Sequence, residues 1–246
     1  MQSWKKYIPI SLKLFFKIRF RTASDFFNGH TKIICKAKNI RLQLPATLKQ
    51  IVSIAQEIKV NETSTNKIHN LSLAINKINN IEIAPGYIFS FWKLIGNPAE
   101  KNGYRKSRSI VDGELETAIG GGLCQLSGLL YFLSLQTGLT IVERHQHSID
   151  IYKDEERFTP LGSDATVSYG YKDFRFINNF KFPVYISFKL TSNLLTGTVL
   201  ATENIKLCTI KFEYKKFSAF TQVETICTSN GQSTIVANNN YALLKQ

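Results

Sequence analysis

The sequence predicts an α+β fold, with helices in the N-terminal part, a central buried helix that starts at a cysteine, and a mainly antiparallel C-terminal sheet. Three observations carry this expectation. Two early stretches space apolar residues at helical intervals, a charge-free apolar run follows a triple glycine, and everything beyond residue 139 breaks into short alternating segments separated by turn residues.

The elements follow in chain order. In "PATLKQIVSIAQEI", residues 45–58, Leu48, Ile51, Val52, Ala55 and Ile58 fall on one helical face and Pro45 suits an opening turn. A second helix fits "STNKIHNLSLAINKIN", capped by Ser64 or Thr65, with Ile68, Leu71, Ile75 and Ile78 as its stripe. "APGYIFSFWKLIG" opens on a Pro85-Gly86 turn and alternates as a strand from Tyr87 to Trp92, and "SRSIVDGELETAI" reads as a hairpin on Asp112-Gly113. The central helix runs from near Leu123 to Gly138, a glycine placed to end it.

Behind it, "LTIVERHQHSIDIY", "SDATVSYG", "DFRFINNF", "VYISFKLT", "LLTGTVLAT", "IKLCTIKFEY", "TQVETICT" and "STIVAN" read as strands. Asn178-Asn179, Ser192-Asn193 and Asn230-Gly231 mark turns between them. The segment from Thr117 to Val142 carries no charge, but its glycines and its polar residues Cys124, Gln125, Ser127, Gln136 and Thr137 argue against a membrane span.

Charge speaks to partners. A net charge of +13, from 31 basic against 18 acidic side chains, suits a polyanion or an anionic membrane surface. No helix-turn-helix, zinc-finger or aromatic-basic motif accompanies it, so no nucleic-acid partner is expected. The first 22 residues hold six basic side chains and no acid, interrupted by Lys13 and Lys17. They read either as an ordinary basic segment packed on the domain or as a surface-lying anchor with Trp4, Tyr7, Phe15, Phe16 and Phe20 in anionic lipid. With no signal peptide or transmembrane helix read, a cytoplasmic location with peripheral attachment at the inner membrane is the expectation. Cys35, Cys124, Cys208 and Cys227 show no metal or disulfide spacing and are expected as free thiols, with a Cys208–Cys227 bridge as the alternative.

The chemistry gathers at Cys124. A cysteine on a helix N-terminus gains thiolate character, and Gly120, Gly121 and Gly122 allow close backbone approach and free amides. If "LTIVERHQHS" is one strand, Leu139, Ile141, Glu143, His145 and His147 share a face that runs from apolar to ionisable. Cysteine, histidine and a following carboxylate such as Asp164 is the order a cysteine nucleophile, its base and the group orienting that base would take, with Glu143 competing for the third role. A zinc reading through Cys124, His145 and His147 exists, but no fourth ligand stands at typical spacing, so no metal and no cofactor are expected. His30 and His69 read as ordinary surface or half-buried residues.

On "PGYIFSFWKLIG", "NGYRKSRSIVDGEL", "GGGLCQLSGLLY", "GLTIVERHQHS", "SDATVSYGYKDFRFIN" and "PVYI", the chain resembles the VanW family, an accessory protein of some vancomycin-resistance clusters and a domain of cell-envelope proteins. The resemblance covers about residues 62–190, which implies a basic extension with a helix over 1–61 and a β extension over 191–246. It implies L,D-transpeptidase-like chemistry on peptidoglycan stem peptides or precursors, with Cys124 as nucleophile and His147 as base. Gly121, Gly122, Gln125, Ser127 and Arg144 would contact substrate, Arg144 holding a carboxylate or else forming a structural ion pair. The competing expectation is a non-catalytic accessory protein that binds a cell-wall precursor.

Overall fold

The computed structural model describes residues 9–59, 62–111, 114–150 and 159–243. Its N-terminal half runs through α1 (Ile10–Phe27), β1 (Lys49–Glu57), α2 (Ser64–Ile75), β2 (Ile81–Ile83), β3 (Ile88–Ser90), α3 (Phe91–Ile95), β4 (Lys106–Val111) and β5 (Glu114–Ile119). The central helix α4 (Leu123–Thr137) follows, then β6 (Thr140–Glu143), β7 (Ile149–Asp150), β8 (Arg175–Ile177), β9 (Val184–Leu190) and β10 (Leu194–Ala201). The chain closes with β11 (Thr209–Lys216), β12 (Phe220–Ser229) and β13 (Gln232–Leu243). The α+β class is therefore observed.

Burial of α4 organises the molecule. Leu123, Leu126, Leu129, Leu130, Leu133 and Leu135 are all buried, and the helix lies against β1 and β10 with α2 alongside. The covering sheet is antiparallel in the order β1-β10-β9-β2. At Gly197 on β10 a side chain would stand 2.8 Å from Leu133 Cδ1, so only glycine lets helix and sheet close to this separation. A three-stranded sheet β3-β8-β6 and a C-terminal sheet β11-β12-β13-β7 flank this centre. Asn230 and Gly231, with φ of 54° and 74°, make the tight β12–β13 turn that the sequence predicts.

Several expectations need correction. Residues 49–57, expected as helix, form β1, paired with β10 from Lys49↔Ala201 to Glu57↔Leu194. Val52, Ile54, Gln56 and Ile58 face inward with period two, and β-branched residues favour that state once a partner strand exists. The strand expected through Trp92 stops at Ser90, whose hydroxyl accepts from the Lys93 amide at 3.4 Å and starts α3. Beyond Glu143, which ends β6 opposite Arg175, residues 144–148 join no ladder, and neither do residues 163–167. Strands β4 and β5 pair as expected, from Lys106↔Ile119 to Val111↔Glu114, while the Asp112-Gly113 turn lies outside the described residues.

At the N-terminus α1 docks by one face. Leu14 and Ile18 meet Gly170, and the buried Asp25 binds Arg175 Nη1 at 2.6 Å. Among the described residues no helix is long and apolar enough to cross a membrane. All four cysteines are free thiols; Cys208 and Cys227 lie within hydrogen-bonding reach of each other.

Candidate functional site

Cys124 is the second residue of α4, and the turn before it explains why. Gly120 and Gly122 take positive φ values of 79° and 99°, while a side chain on Gly121 would lie 2.3 Å from the Ser107 carbonyl oxygen. The three glycines thus press the helix start against β4 and turn it sharply. Asn70 of α2 locks the turn, donating through Nδ2 to the carbonyls of Arg105 (2.9 Å) and Gly121 (3.0 Å). The Cys124 amide has no backbone acceptor among the described residues, as expected in a first helical turn.

A second segment crosses the first turns of α4. Ser127 Oγ donates to the Ala165 carbonyl at 2.6 Å, and the Cys124 thiol points to the Val167 carbonyl at 3.8 Å. Residues 163–165 pass over Gly128, where a side chain would begin 3.6 Å from Ala165 N and Asp164 Cα. The Thr166 amide then donates to the His145 carbonyl at 2.7 Å, tying this segment to residues 144–147. Asp164 and His147 are brought beside Cys124 by these ties.

On one side His147 lies close enough to the Cys124 sulfur for each to favour the other's charged form. On the other, its Nδ1 and its backbone amide both donate to Asp164 Oδ2, each at 2.7 Å. Asp164 Oδ1 receives Arg144 Nη2 at 3.0 Å and the Tyr241 hydroxyl at 2.6 Å. Arg144 also reaches the Asp164 and Gly162 carbonyls and Asn239, and its guanidinium lies 4.8 Å over the Tyr131 ring.

The electrostatics follow from this chain. Burial alone would raise the Cys124 thiol, but the hydrogen bond and positive charge of His147, with the Val167 contact, bring it below its ordinary value. For His147, burial opposes protonation, yet the Asp164 and Cys124 contacts push it up to about 10. Burial would also raise Asp164, but His147, Arg144 and Tyr241 hold it well below the usual carboxylate range. A thiolate–imidazolium pair backed by an ionised aspartate is the favoured charge state.

The other residues singled out in the sequence separate into different environments. Glu143 and His145 do not orient His147: the strand breaks after Glu143, and His145 Nε2 lies 3.0 Å from Glu143 Oε1 in a network with Arg21, Asp173 and Arg175. There burial is outweighed by His145, the Asp173 amide and Arg21, which lower Glu143 to about 2. Arg144, with only 6% of its side chain exposed, forms the structural ion pair rather than facing a substrate. Ser127 is fully buried and engaged with Ala165, and Gln125 is buried with Nε2 on the Glu57 carbonyl at 2.9 Å, so neither lines the thiol. Gly121 is buried backbone, whereas Gly122 is partly open.

Three residues escape the sequence reading. Tyr241 and Asn239 come from β13, where Ala237, Asn239 and Tyr241 turn inward with period two; the alternation is legible, but nothing in it points to Asp164. Lys67 lies across Gly122, its Cγ 2.6 Å from where a side chain there would begin, and burial followed by the charge of Arg108 lowers it to about 8. Among the described residues no group of three or more His, Cys, Asp or Glu side chains is placed to hold a metal ion.

Comparison with known proteins follows this geometry. A family model described as VanW like protein matches residues 66–200, more than half of the chain. The chain is 34% identical over 181 residues to the uncharacterized protein YoaR of Bacillus subtilis (strain 168), covering 72% of this chain and 58% of that protein. It is 35% identical over 136 residues to the vancomycin B-type resistance protein VanW of Enterococcus faecalis (strain ATCC 700802 / V583), covering 55% of this chain and 50% of that one. The chain thus spans little more than half the length of these relatives. No solved structure matches it.

Proposed function

The chain belongs to the VanW family, and from that footing we propose that it is a cysteine acyltransferase of L,D-transpeptidase type, acting on peptidoglycan stem peptides or their precursors. The observation that carries the reading is the placement of His147 between the Cys124 thiol, whose charged form it favours, and the Asp164 carboxylate, which its Nδ1 meets at 2.7 Å. Nucleophile, base and orienting carboxylate stand in the relation that acyl transfer requires.

In the proposed reaction the Cys124 thiolate adds to a peptide carbonyl, forming the C–S bond and a tetrahedral oxyanion. The Cys124 amide at the helix start, which has no backbone acceptor among the described residues, is a donor suited to that oxyanion. Collapse breaks the C–N bond as the His147 imidazolium gives its proton to the departing amine, leaving a thioester. An acceptor amine then attacks, His147 takes its proton, and the new amide leaves as the thiolate is restored. Stem peptides carry free carboxylates, and Lys67 with Arg108 beside Gly122 supplies a cationic flank for one of them.

The test is intact-mass analysis after incubation with a stem tetrapeptide. An adduct equal to the peptide minus its leaving amino acid, present in wild type and absent in Cys124→Ala, is the expected result. No adduct at any pH from 5 to 9 (roughly the span over which such a pair titrates), with the thiol demonstrably reactive, would overturn acyl transfer. Similarity to a vancomycin B-type resistance protein is equally compatible with a second reading, in which the chain is a non-catalytic accessory that binds a wall precursor. That reading expects Cys124→Ser to keep full peptide affinity and biological effect.

A further inference from the structure

The outer face of helix α1 is exposed. Leu14, Ile18, Arg21 and Asp25 turn inward, onto Gly170, Glu143 and Arg175. At 100° per residue the opposite arc carries Leu12, Phe15, Phe16, Phe20, Phe26 and Phe27, and Phe16, Phe20 and Phe27 are 61%, 75% and 84% exposed. Five exposed phenylalanines on one helix far exceed the scattered apolar residues of an ordinary surface.

We infer that this face docks on an anionic phospholipid bilayer, with α1 lying in the plane of the interface. Charge chooses this occupant over a protein groove. Arg19 sits inside the aromatic arc, its guanidinium 5.2 Å over the Phe15 ring, and Lys13 and Lys17 line one edge. No acidic residue precedes Asp25 anywhere in the sequence, and Trp4, Lys5, Lys6 and Tyr7 repeat the aromatic-basic composition. Such cations neutralise anionic headgroups while the rings reach the acyl boundary.

Geometry fixes the mode of attachment. The helix is 18 residues, about 27 Å long, and its inner face is tied to the domain by the Asp25–Arg175 and Arg21–Glu143 ion pairs. It can lie on a bilayer without leaving the fold. The inference is independent of the acyl-transfer reading, because the docking face and the Cys124 cluster share no residue.

The experiment is co-sedimentation of the full chain with vesicles of phosphatidylcholine alone or mixed with phosphatidylglycerol, in low and high salt. Wild type is expected to bind the mixed vesicles, at least about tenfold more weakly when the salt is raised or the phosphatidylglycerol omitted. Phe16→Ser/Phe20→Ser should lose about tenfold or more, and Lys13→Gln/Lys17→Gln/Arg19→Gln a comparable amount. Circular dichroism and alkylation of Cys124 confirm that these variants keep the fold. Failure of wild type to bind mixed vesicles overturns the inference, as does unchanged binding by the Phe→Ser variant. So does a dimer in light scattering that Phe16→Ser/Phe20→Ser dissociates without any vesicle binding, which would assign the face to a second copy of the chain.

Discussion

Replacing His147 by alanine should deprive Cys124 of its stabilised thiolate and leave burial to raise the thiol, and the size of the change can be worked from the site. Below the titration points of both thiols, every unit by which His147 lowers the Cys124 value multiplies the thiolate fraction by about ten. A more stable thiolate is a weaker nucleophile, with a Brønsted slope of about 0.4–0.5, which removes about threefold per unit. The net gain is therefore about threefold in alkylation rate per unit of lowering, visible only on the acid side. His147 supplies most of the lowering, the Val167 carbonyl contact adds to it, and burial with the Asp164 charge opposes it. The assay is the rate of iodoacetamide reaction against pH in a Cys208→Ser/Cys227→Ser background, with Cys35 buried and pushed up to about 12. Wild type should show an acidic limb that His147→Ala abolishes, leaving a rate that rises about tenfold per unit well into the alkaline range, because burial and the Asp164 charge then raise the thiol. Asp164→Asn should shift the profile less, since it removes both the support for the imidazolium and a negative charge that opposes the thiolate. Superimposable profiles for wild type and His147→Ala would refute the reasoning.

Three further outcomes are expected. Tyr241→Phe deletes a 2.6 Å hydrogen bond to the Asp164 carboxylate without opening a cavity, and should cost about 1.5–3 kcal/mol in urea unfolding at pH 7; a loss under about 0.5 kcal/mol would mean that the bond contributes nothing measurable. The raised His147 value contributes stability in full below its unfolded value of about 6.5, lost as pH rises through about 10. The stability advantage of wild type over His147→Gln should thus shrink between pH 7 and 10, and a constant difference in denaturant midpoints would contradict the ion pair. Gly121→Ala places a methyl 2.3 Å from the Ser107 carbonyl oxygen, so the β4–β5 hairpin must move; a fall of several degrees in the melting midpoint, about 2 kcal/mol or more, is expected, and an unchanged midpoint would show that the close approach is absent.

How far the fold is legible depends on which residues are asked. Helix α4 is, because a charge-free run between Gly122 and Gly138 has turn residues at both ends and nothing but burial suits it. Strand β1 is not, because Ile51, Val52, Ile54, Ala55 and Ile58 satisfy the helical period and the strand period alike, and only β10, some 140 residues later, decides. The same limit applies at the site. Cys124, His147 and Asp164 can be named from residue type, order and family resemblance, but Glu143 and His145 offer the same chemistry two residues away. What separates them is the end of β6 at Glu143, beyond which one imidazole lies against the Glu143 carboxylate and the other beside the thiol. Tyr241 is invisible for a further reason: its role is set by β13 pairing with β7, a parallel contact made across the whole second half of the chain.

That C-terminal contribution bears on what Asp164 does. Its carboxylate accepts from the His147 amide, the His147 ring, Arg144 and the Tyr241 hydroxyl. A carboxylate with four donors, one of them a guanidinium, is held ionised, so it does not compete for the imidazole proton. It fixes the ring orientation and favours the imidazolium, which is the state able to protonate a leaving amine. Two of those donors arise differently: Arg144 lies within the matched family segment 66–200, whereas Tyr241, together with the Asn239 that braces Arg144, lies beyond it. The C-terminal sheet therefore acts on the thiol through Asp164 and His147, and a chain ended after β10 would leave a buried carboxylate and guanidinium short of partners.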